Sequence, residues 1–237
     1  MKVRLYPTIE MVEKETLHGA AAVVIDVLRA TSTIIAGMEN GARSIIPVEN
    51  IETASRLVGM EERGVKLLAG EWKGQPIEGF DLFNSPSEFT ADKVEGRTVV
   101  LSTSNGTRAI VAALKAKPLL ICSFNNLDAV AGLLSDERQV NILCAGSSGA
   151  ISAEDVLCGG MLLSVLAERY EVESDDDATL LAMMLASKFD GELRSFLART
   201  DRGRKLSEDG YEDDLDYCSQ IDSTDIVPVV KEGTIHG

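Results

Sequence analysis

Six short runs rich in Val, Ile and Leu alternate along the chain with longer segments of helical periodicity. The runs cover residues 22–25, 44–48, 66–69, 98–101, 119–122 and 140–145. They lack the apolar–polar alternation of half-exposed strands, which is typical of strands buried on both faces of a parallel sheet. Strands that alternate with helices predict an α/β fold with a mostly parallel sheet.

The charge of the chain limits its partners. The formal net charge is −15, while hydrophobic residues make up an ordinary 45%. Such an acidic protein is a poor ligand for nucleic acid or an anionic membrane surface, because both require neutralisation of phosphates. An anionic ligand would therefore need a local positive region made from Arg, backbone N–H groups or a metal ion.

The cysteines and the N-terminus predict a cytoplasmic protein. None of the four cysteines forms a CxxC pair, and three lie in apolar runs, which favours reduced thiols in the core. The first ten residues contain no apolar signal-peptide core, and no run approaches about 18 apolar residues.

The character of the sequence changes after Tyr170. Residues 171–177 and 208–216 are acidic, and helical patterns cover 178–188 and 191–199. Acidic stretches usually form solvated faces. We interpret residues 171–220 as a helical appendage that packs on the α/β body or forms a subunit contact, so a homo-oligomer such as a dimer is predicted. A last strand is expected at 226–230, at a sheet edge because Pro228 lacks an N–H.

Two segments share one plan. Residues 23–37 and 99–113 each contain an apolar strand, a turn rich in Ser, Thr and Asp or Asn, and an apolar helix. Aligned without gaps, Asp26 falls on Ser102 and Thr31 falls on Thr107. Residues 1–237 are predicted to form one compact α/β unit. A duplication with halves near 1–95 and 96–237 is one interpretation of the repeat, and the general similarity of βα units is the other.

Polar segments follow four of the predicted strands, at the edge where open parallel sheets bind ligands. The segment after the fourth strand contains Ser102, Thr103, Ser104, Asn105, Gly106 and Thr107. Free N–H groups at a helix N-terminus favour an anion. Arg108 in the first helical turn opposes the helix dipole, and a bound anion would resolve that conflict. The alternative is an ordinary helix cap with Arg108 in solvent.

The segment 26–33 repeats this arrangement with Asp26, Arg29 and Thr31. A carboxylate at the end of a buried strand is unfavourable unless it is hydrogen-bonded, paired or bound to a metal. Asp26 therefore either caps the next helix and pairs with Arg29, or forms one site with the second turn. The segment lacks the second Asp of a haloacid-dehalogenase motif, and the chain contains no GK[ST] of a Walker loop.

Two further segments contribute candidates. Glu154 and Asp155 open the predicted helix after the turn that contains Ser147, where they are either dipole partners or, with Asp26, ligands of Mg²⁺. The long loop 70–89 carries four aromatic residues, so we interpret it as an ordered lid or wall. Its polar groups include Glu71, Asp81 and Asn84.

The segments VVIDVLRATSTI, GFDLFNSPSEF, STSNGTRAI and AGSSGAISAED, in this order, resemble the 2-phosphosulfolactate phosphatase (ComB) family. The resemblance runs from about residue 22 to residue 163. It implies a three-layer α/β/α fold with two intertwined, similar halves. It also implies Mg²⁺-dependent hydrolysis of 2-phospho-3-sulfolactate to 3-sulfolactate and phosphate, a step of coenzyme M biosynthesis. The family usually carries Arg after Gly-Glu, whereas this chain has Trp72 and Lys73, and Lys offers a point charge instead of a fork.

The resemblance and the residues together suggest roles. Mg²⁺ is assigned to Asp26 with Glu154 or Asp155, and Asp81 or Glu71 would orient the attacking water. Arg29, Arg108 and the N–H groups near Asn105 would hold the anionic groups. The other substrate contacts are expected from Thr31, Asn84, Ser102, Thr103, Ser104, Gly106, Thr107 and Ser147.

Two variants would test these roles, because Asp26→Asn and Arg108→Ala should each lower activity by at least ~100-fold. Two alternatives remain open at this point. One is a phosphatase of another small phosphorylated hydroxy acid. The other is a non-catalytic sensor of a phosphorylated metabolite.

Overall fold

The structure, a computed structural model, describes residues 1–59 and 66–237. The described strands are β1 Lys2–Tyr6, β2 Ala21–Ile25, β3 Ser44–Val48, β4 Lys66–Trp72, β5 Gln75–Pro76, β6 Leu82–Phe83, β7 Thr98–Ser102, β8 Leu119–Cys122, β9 Gln139–Cys144, β10 Val229–Lys231 and β11 Thr234–His236. The described helices are α1 Ala30–Glu39, α2 Ile51–Gly59, α3 Ala91–Val94, α4 Gly106–Ala112, α5 Leu127–Leu133, α6 Ala153–Arg169, α7 Asp177–Lys188, α8 Leu193–Leu197, α9 Asp201–Glu208 and α10 Glu212–Cys218. No helix in these ranges is long and apolar enough to cross a membrane.

All six predicted strands are present, and they lie in one mixed sheet of order β1-β9-β2-β8-β10-β11-β3-β7-β4-β5, with β6 beside β4. Two parallel blocks, β1-β9-β2-β8 and β3-β7-β4, are joined by the antiparallel hairpin β10–β11. Helices cover both faces of the sheet. The predicted α/β fold with a mostly parallel sheet and three layers is confirmed.

The missing alternation in the strands has a direct structural cause. In β2, Val23 and Ile25 belong to an apolar cluster with α5 and α6, while Ala22 and Val24 belong to a second cluster with α1 and α4. Both faces of the strand are therefore buried, so polar residues have no favourable position on either face.

The expectation of an edge strand at 226–230 is wrong. β10 lies in the interior of the sheet, between β8 and β11. Pro228 is compatible with this place because it precedes β10, and its carbonyl oxygen accepts a hydrogen bond from the Ile121 N–H at 2.9 Å. The first sheet pair of β10 uses Val229 opposite Leu120, so no N–H is needed from the proline.

The strand order β9-β2-β8 in one block repeats as β4-β7-β3 in the other. In each block the central strand leads into a helix and then into the other block, because β2 is followed by α1 and β3, and β7 by α4 and β8. The chain thus passes between the blocks as intertwined halves would require. The duplication with a boundary near residue 95, and the single unit over 1–237, remain predictions with which this order agrees.

The segment after Tyr170 packs on the body through apolar side chains. Leu197, Leu206 and Leu215 are buried in the same cluster as α5 and α6. α7 lies very close to α6, since a Cβ at Gly160 would stand 2.2 Å from the carbonyl oxygen of Ala182. The predicted helical segment is therefore present, and its inner face is continuous with the core.

Candidate active site

A cavity of about 290 Å³ lies where the carboxyl ends of β2, β4, β7 and β9 meet α9. Many of the residues predicted from the sequence line it together: Asp26, Arg29, Glu71, Asn84, Ser104, Asn105, Ser147 and Glu154. The remaining lining residues are Leu28, Lys73, Gly74, Gly146, Ser148, Ser152 and Arg202. Convergence at this edge follows from the parallel strands, whose carboxyl ends point the same way.

Asp26 follows β2 directly, and a threonine fixes its backbone. The Asp26 N–H donates to Thr31 Oγ1 at 3.0 Å, and this hydroxyl donates back to the Asp26 carbonyl oxygen at 2.9 Å. Thr31 itself is fully buried and lies outside the cavity lining. Its predicted role as a substrate contact is therefore replaced by a structural one.

Asp155 connects the turn after β2 to the turn after β9. Its carboxylate accepts hydrogen bonds from the Val27 N–H at 2.8 Å and the Gly146 N–H at 3.2 Å, one on each oxygen. It does not line the cavity. Burial, followed by repulsion from Asp26, raises its pKa well above the ordinary value. In the structure Asp155 thus links the two turns through its hydrogen bonds, and its metal contact remains a prediction.

In the turn after β7 a threonine hydroxyl binds a backbone N–H and the carbonyl oxygen of the same residue, as Thr31 does after β2. We call this arrangement a threonine latch. The Thr103 N–H donates to Thr107 Oγ1 at 3.0 Å, and this hydroxyl donates to the Thr103 carbonyl oxygen at 3.0 Å. Neither threonine lines the cavity, and Ser102 is buried within β7. These predicted substrate contacts are therefore structural. Asn105 does line the cavity, and its Oδ1 accepts a hydrogen bond from the Ser148 N–H at 3.2 Å.

Gly106 opens α4 at its contact with α1. A Cβ at this position would lie 2.4 Å from the Ala30 Cβ and 2.5 Å from Asp26 Oδ2, which is closer than such atoms approach. The glycine therefore allows the second turn to pack against the carboxylate of the first. Its predicted role as a substrate contact becomes one of close packing.

The structure does not bring Arg108 or Asp81 to the cavity. Successive helical residues are rotated by about 100°, so Arg108 lies on the opposite side of α4 from Gly106. It is exposed and lines a separate groove with Glu10 and Glu49. Asp81 is also exposed, and its Oδ2 accepts a hydrogen bond from the Leu68 N–H at 2.8 Å. The structure therefore places neither of these two predicted catalytic residues at the cavity.

Three buried carboxylates face the cavity: those of Asp26, Glu71 and Glu154. Burial, with repulsion from Glu71, raises the pKa of Asp26 to about 7. Burial also raises the pKa of Glu154. Backbone N–H groups of Ser104 and Gly74 donate to the two oxygens of Glu71 at 2.6 and 2.5 Å. Buried negative charge of this density favours a bound cation.

Arg202 of α9 is the cation that acts on this carboxylate cluster, because it lowers the pKa of both Asp26 and Glu154. Sequence reasoning missed it. Thr200 caps α9 by accepting a hydrogen bond from the Gly203 N–H at 3.1 Å, so Arg202 lies in a first helical turn and opposes the dipole. A cation in a first helical turn is the pattern that predicts an anion site at Arg108, and it marks Arg202 as well.

Arg29 is 1% exposed and contributes a second positive charge. Its Nη1 donates to Asp214 Oδ2 at 2.5 Å, and its Cζ lies 4.4 Å from the ring centre of Phe83 and 4.7 Å from that of Tyr211. Burial lowers the pKa of Arg29, and Asp214 opposes this effect. Asp214 lies in the acidic stretch interpreted as a solvated face, yet its side chain is fully buried. For this residue the interpretation is wrong.

The cavity fits Mg²⁺ only in part. Among the described residues, no three side chains of His, Cys, Asp or Glu stand close enough to hold a metal ion alone. Mg²⁺ usually takes one or two carboxylates and fills its shell with water and substrate phosphate. Asp26 and Glu154 offer such carboxylates, and the buried Asn84 Oδ1 has no hydrogen-bond partner. The residues therefore suit a cation that arrives with a phosphorylated substrate.

Comparison with known proteins agrees with this site. The family model for 2-phosphosulpholactate phosphatase matches residues 6–233. A probable 2-phosphosulfolactate phosphatase of Caldanaerobacter subterraneus is 36% identical over 236 residues, which cover 99% of this chain and 98% of the relative. A protein of the same name from Caldicellulosiruptor saccharolyticus is 37% identical over 233 residues, which cover 96% of this chain and 96% of the relative. Another from Symbiobacterium thermophilum is 39% identical over 222 residues, which cover 93% of this chain and 95% of the relative. The chain belongs to the 2-phosphosulpholactate phosphatase family.

Proposed function

We propose that this protein is a phosphoric monoester hydrolase that converts 2-phospho-3-sulfolactate to 3-sulfolactate and phosphate, with Mg²⁺ as cofactor. The observation that carries the proposal is the cavity itself, where buried Asp26 and Glu154 face Arg29 and Arg202. The substrate carries a phosphate, a carboxylate and a sulfonate. In a chain of net charge −15, a local group of cations is the feature that such a ligand requires.

Asp26 and Glu154 are the residues that would hold Mg²⁺. When bound there, the ion would neutralise charge on the phosphate oxygens. The raised pKa of Asp26 supports this assignment, because a nearby cation would offset both the burial and the repulsion from Glu71 that raise it. Asn84 Oδ1 offers a neutral oxygen in the same cavity.

Arg202 and Lys73 would bind the charged ends of the substrate, since both line the cavity. Phosphoryl transfer depends mainly on positioning and charge stabilisation. Arg202 is therefore placed to stabilise negative charge that develops on the phosphoryl group. Lys73 is exposed and supplies a point charge at the rim.

Glu71 is the remaining candidate for orienting the attacking water. Its two oxygens are held by N–H donors of Ser104 and Gly74, so the carboxylate has one orientation at the cavity wall. A carboxylate accepts up to about four hydrogen bonds, which leaves capacity for a water molecule. The new P–O bond then forms from that water as the ester P–O bond breaks, and the proton that the water loses is balanced by the proton that the leaving oxygen gains as the hydroxyl group of 3-sulfolactate.

The test is phosphate release from 2-phospho-3-sulfolactate, with Mg²⁺ and with EDTA, beside phospholactate and phosphoglycerate. We expect release that requires Mg²⁺ and favours the sulfonated ester. Preference for another ester would support a phosphatase of a different phosphorylated hydroxy acid. Thermal stabilisation by the ester without turnover would instead indicate a sensor, and would contradict the proposal.

We also propose that the protein is a cytoplasmic homodimer formed through α7. Its cysteines are buried free thiols, which suits a reducing compartment. On α7, Leu180, Leu181, Met184 and Leu185 are 56%, 63%, 54% and 37% exposed and share one face. Antiparallel packing of two copies would place Asp177 of one near Lys188 of the other, which is favourable.

Sedimentation measurements test the dimer. Leu181→Glu places a charge in the proposed contact, so we expect a monomer with unchanged fold. The matched control is Leu133→Glu on α5, a leucine that is 53% exposed away from α7. A dimer that persists in Leu181→Glu, or a monomeric wild type at micromolar concentration, would contradict this contact.

A further inference from the structure

The guanidinium of Arg29 is held at one end only. Nη1 donates to Asp214, whereas Nε and Nη2 are buried and have no hydrogen-bond partner among the described residues. In a guanidinium, the N–H bonds of Nε and Nη2 run parallel along one edge, which forms a fork for two oxygen atoms. Buried donors are rarely left unpaired without a functional reason. The free edge belongs to a residue that lines the cavity.

The orientation of this fork depends on Asp214. While Oδ2 binds Arg29, Oδ1 accepts hydrogen bonds from Ser85 Oγ at 2.7 Å and Ser87 Oγ at 2.7 Å. The carboxylate is therefore fixed on both oxygens, and the guanidinium is fixed with it. The rings of Phe83 and Tyr211 contact the guanidinium as well, and their centres lie 5.2 Å apart. The segments 83–87 and 211–214 together set the direction of the fork.

We propose that Asp214 is a positioning residue, which turns the Nε–Nη2 edge of Arg29 toward the carboxylate of the substrate. This inference rests on the proposed function, because it names the substrate group that this part of the site binds. A carboxylate is planar and has two oxygens, so both are satisfied by the fork. A phosphate or sulfonate has a third oxygen, which the two nitrogens of the fork leave without a donor.

The charge distribution agrees with this assignment. The phosphoryl group is drawn to the side of the cavity where Asp26 and Glu154 would hold a cation, so it is not the group that Arg29 binds. Of the two groups that remain, the planar carboxylate matches the fork better than the sulfonate does. The two free nitrogens are shielded from water, so a neighbouring side chain must move when the ligand enters. Arg202 is half-buried and near enough to lower the pKa of Arg29, and we expect it to move.

The test compares three esters on wild type and Asp214→Asn. The esters are 2-phospho-3-sulfolactate, phospholactate, which lacks the sulfonate, and 2-(phosphonooxy)ethanesulfonate, which lacks the carboxylate. We expect Asp214→Asn to raise KM about 10-fold for the first two, with kcat within about 3-fold. For the ester without a carboxylate, the KM values of the variant and wild type should agree. Asp213→Asn removes an exposed neighbouring charge from the same helix and is the matched control.

Several outcomes would overturn the inference. An equal rise in KM for all three esters would mean general damage to the site. If Asp214→Asn raises KM for 2-phospho-3-sulfolactate but not for phospholactate, the fork binds the sulfonate. A fall in kcat with unchanged KM would place Arg29 on the phosphoryl group.

A second variant covers the case in which Asp214→Asn does not fold. Tyr211→Leu keeps the Arg29–Asp214 pair and removes one ring contact, so a smaller rise in KM, about 3-fold, is expected only for the carboxylate esters. The same rise on the carboxylate-free ester would contradict the inference.

Failure of the proposed function itself is recognisable, because wild type would then release no phosphate from any ester. In that case calorimetry with 3-sulfolactate and 2-hydroxyethanesulfonate tests the fork directly. Tighter binding of 3-sulfolactate that is lost in Asp214→Asn would support the inference. Equal binding of the two by wild type would overturn it.

Discussion

The turn after β2 and the turn after β7 share a backbone device but differ in chemistry. In the first, Thr31 holds both backbone groups of Asp26, and in the second Thr107 holds those of Thr103. The ungapped alignment of Asp26 with Ser102 is therefore one residue out of register, because the second turn is one residue shorter. The threonine latch fixes the shape of each turn, and the side chains around it decide what the turn contributes.

The first turn contributes charged side chains to the cavity, whereas the second contributes neutral ones. Asp26 and Arg29 are both buried at the cavity. The second turn offers neutral Ser104 and Asn105, while Arg108 faces away. A further carboxylate in the second turn would add to the repulsion that already raises the pKa of Asp26. The two turns are thus complementary, which a common plan in the sequence does not reveal.

The largest expected effect is in the first turn. Asp26→Asn should lower kcat for 2-phospho-3-sulfolactate by at least about 100-fold, because it removes a charge that would act in the transition state. Steady-state kinetics with saturating Mg²⁺ measures it. Asp92→Asn, at an exposed position of α3, is the matched control. Near-normal kcat in Asp26→Asn would remove this residue from the chemistry.

A methyl group added in the second turn should displace Asp26 in the first turn. Gly106→Ala directs a Cβ at Asp26 Oδ2 and Ala30, so we expect about 1–3 kcal/mol of lost stability and about 10-fold lower activity through displacement of Asp26. Urea unfolding and kinetics report the two effects. Gly132→Ala on α5 has no atom within 4 Å of its Cβ and should not destabilise. Equal behaviour of the two variants would show that the close contact is unimportant.

Arg202 and Arg108 both lie in the first turn of a helix, but their replacement by alanine should have clearly different effects on the kinetics. Arg202→Ala removes a cation from the cavity and should lower kcat/KM about 10-fold, mainly through kcat, because Arg202 is placed to stabilise charge that develops on the phosphoryl group. Arg108→Ala should change kcat/KM by less than about 3-fold, in contrast to the expectation from sequence, because Arg108 lines another groove. A larger loss for Arg108→Ala than for Arg202→Ala would reverse the assignment.

The pH dependence of stability tests the charge of the first turn without any substrate. The pKa of Asp26 rises from 3.8 to about 7 on folding, so between pH 4 and 7 the folded state keeps a proton that the unfolded chain loses. The free energy of unfolding therefore falls as the pH rises through this window. Asp26→Asn abolishes the loss, and without Mg²⁺ the variant should gain up to a few kcal/mol on wild type between pH 4 and pH 8. Parallel pH profiles in urea unfolding would contradict the raised pKa.

Much of the fold and part of the site were predictable from the sequence. Buried strands leave continuous apolar runs, and polar residues at the carboxyl ends of parallel strands must converge, so Asp26, Asn105 and Glu154 could be placed together. Arg108 was misplaced because its side on α4 depends on how α4 packs on α1, which Gly106 determines. A helix rotation of this kind has no signature in a short segment.

The contributions of the C-terminal segment were missed for a different reason. Arg202 and Asp214 lie in an acidic region that is distant in sequence from every strand of the site. Their positions depend on the packing of α9 and α10 through Leu206 and Leu215, which is a tertiary effect. The sequence does carry a local signal at Arg202, a cation in the first turn of a capped helix. It is the same signal that predicts an anion site at Arg108.

The most direct test of the account is a crystal structure with 3-sulfolactate and Mg²⁺. The account predicts the ligand in the cavity between Asp26, Arg29 and Arg202, with the metal ion on Asp26 and Glu154. A ligand bound in the groove beside Arg108, with the cavity unoccupied, would contradict it.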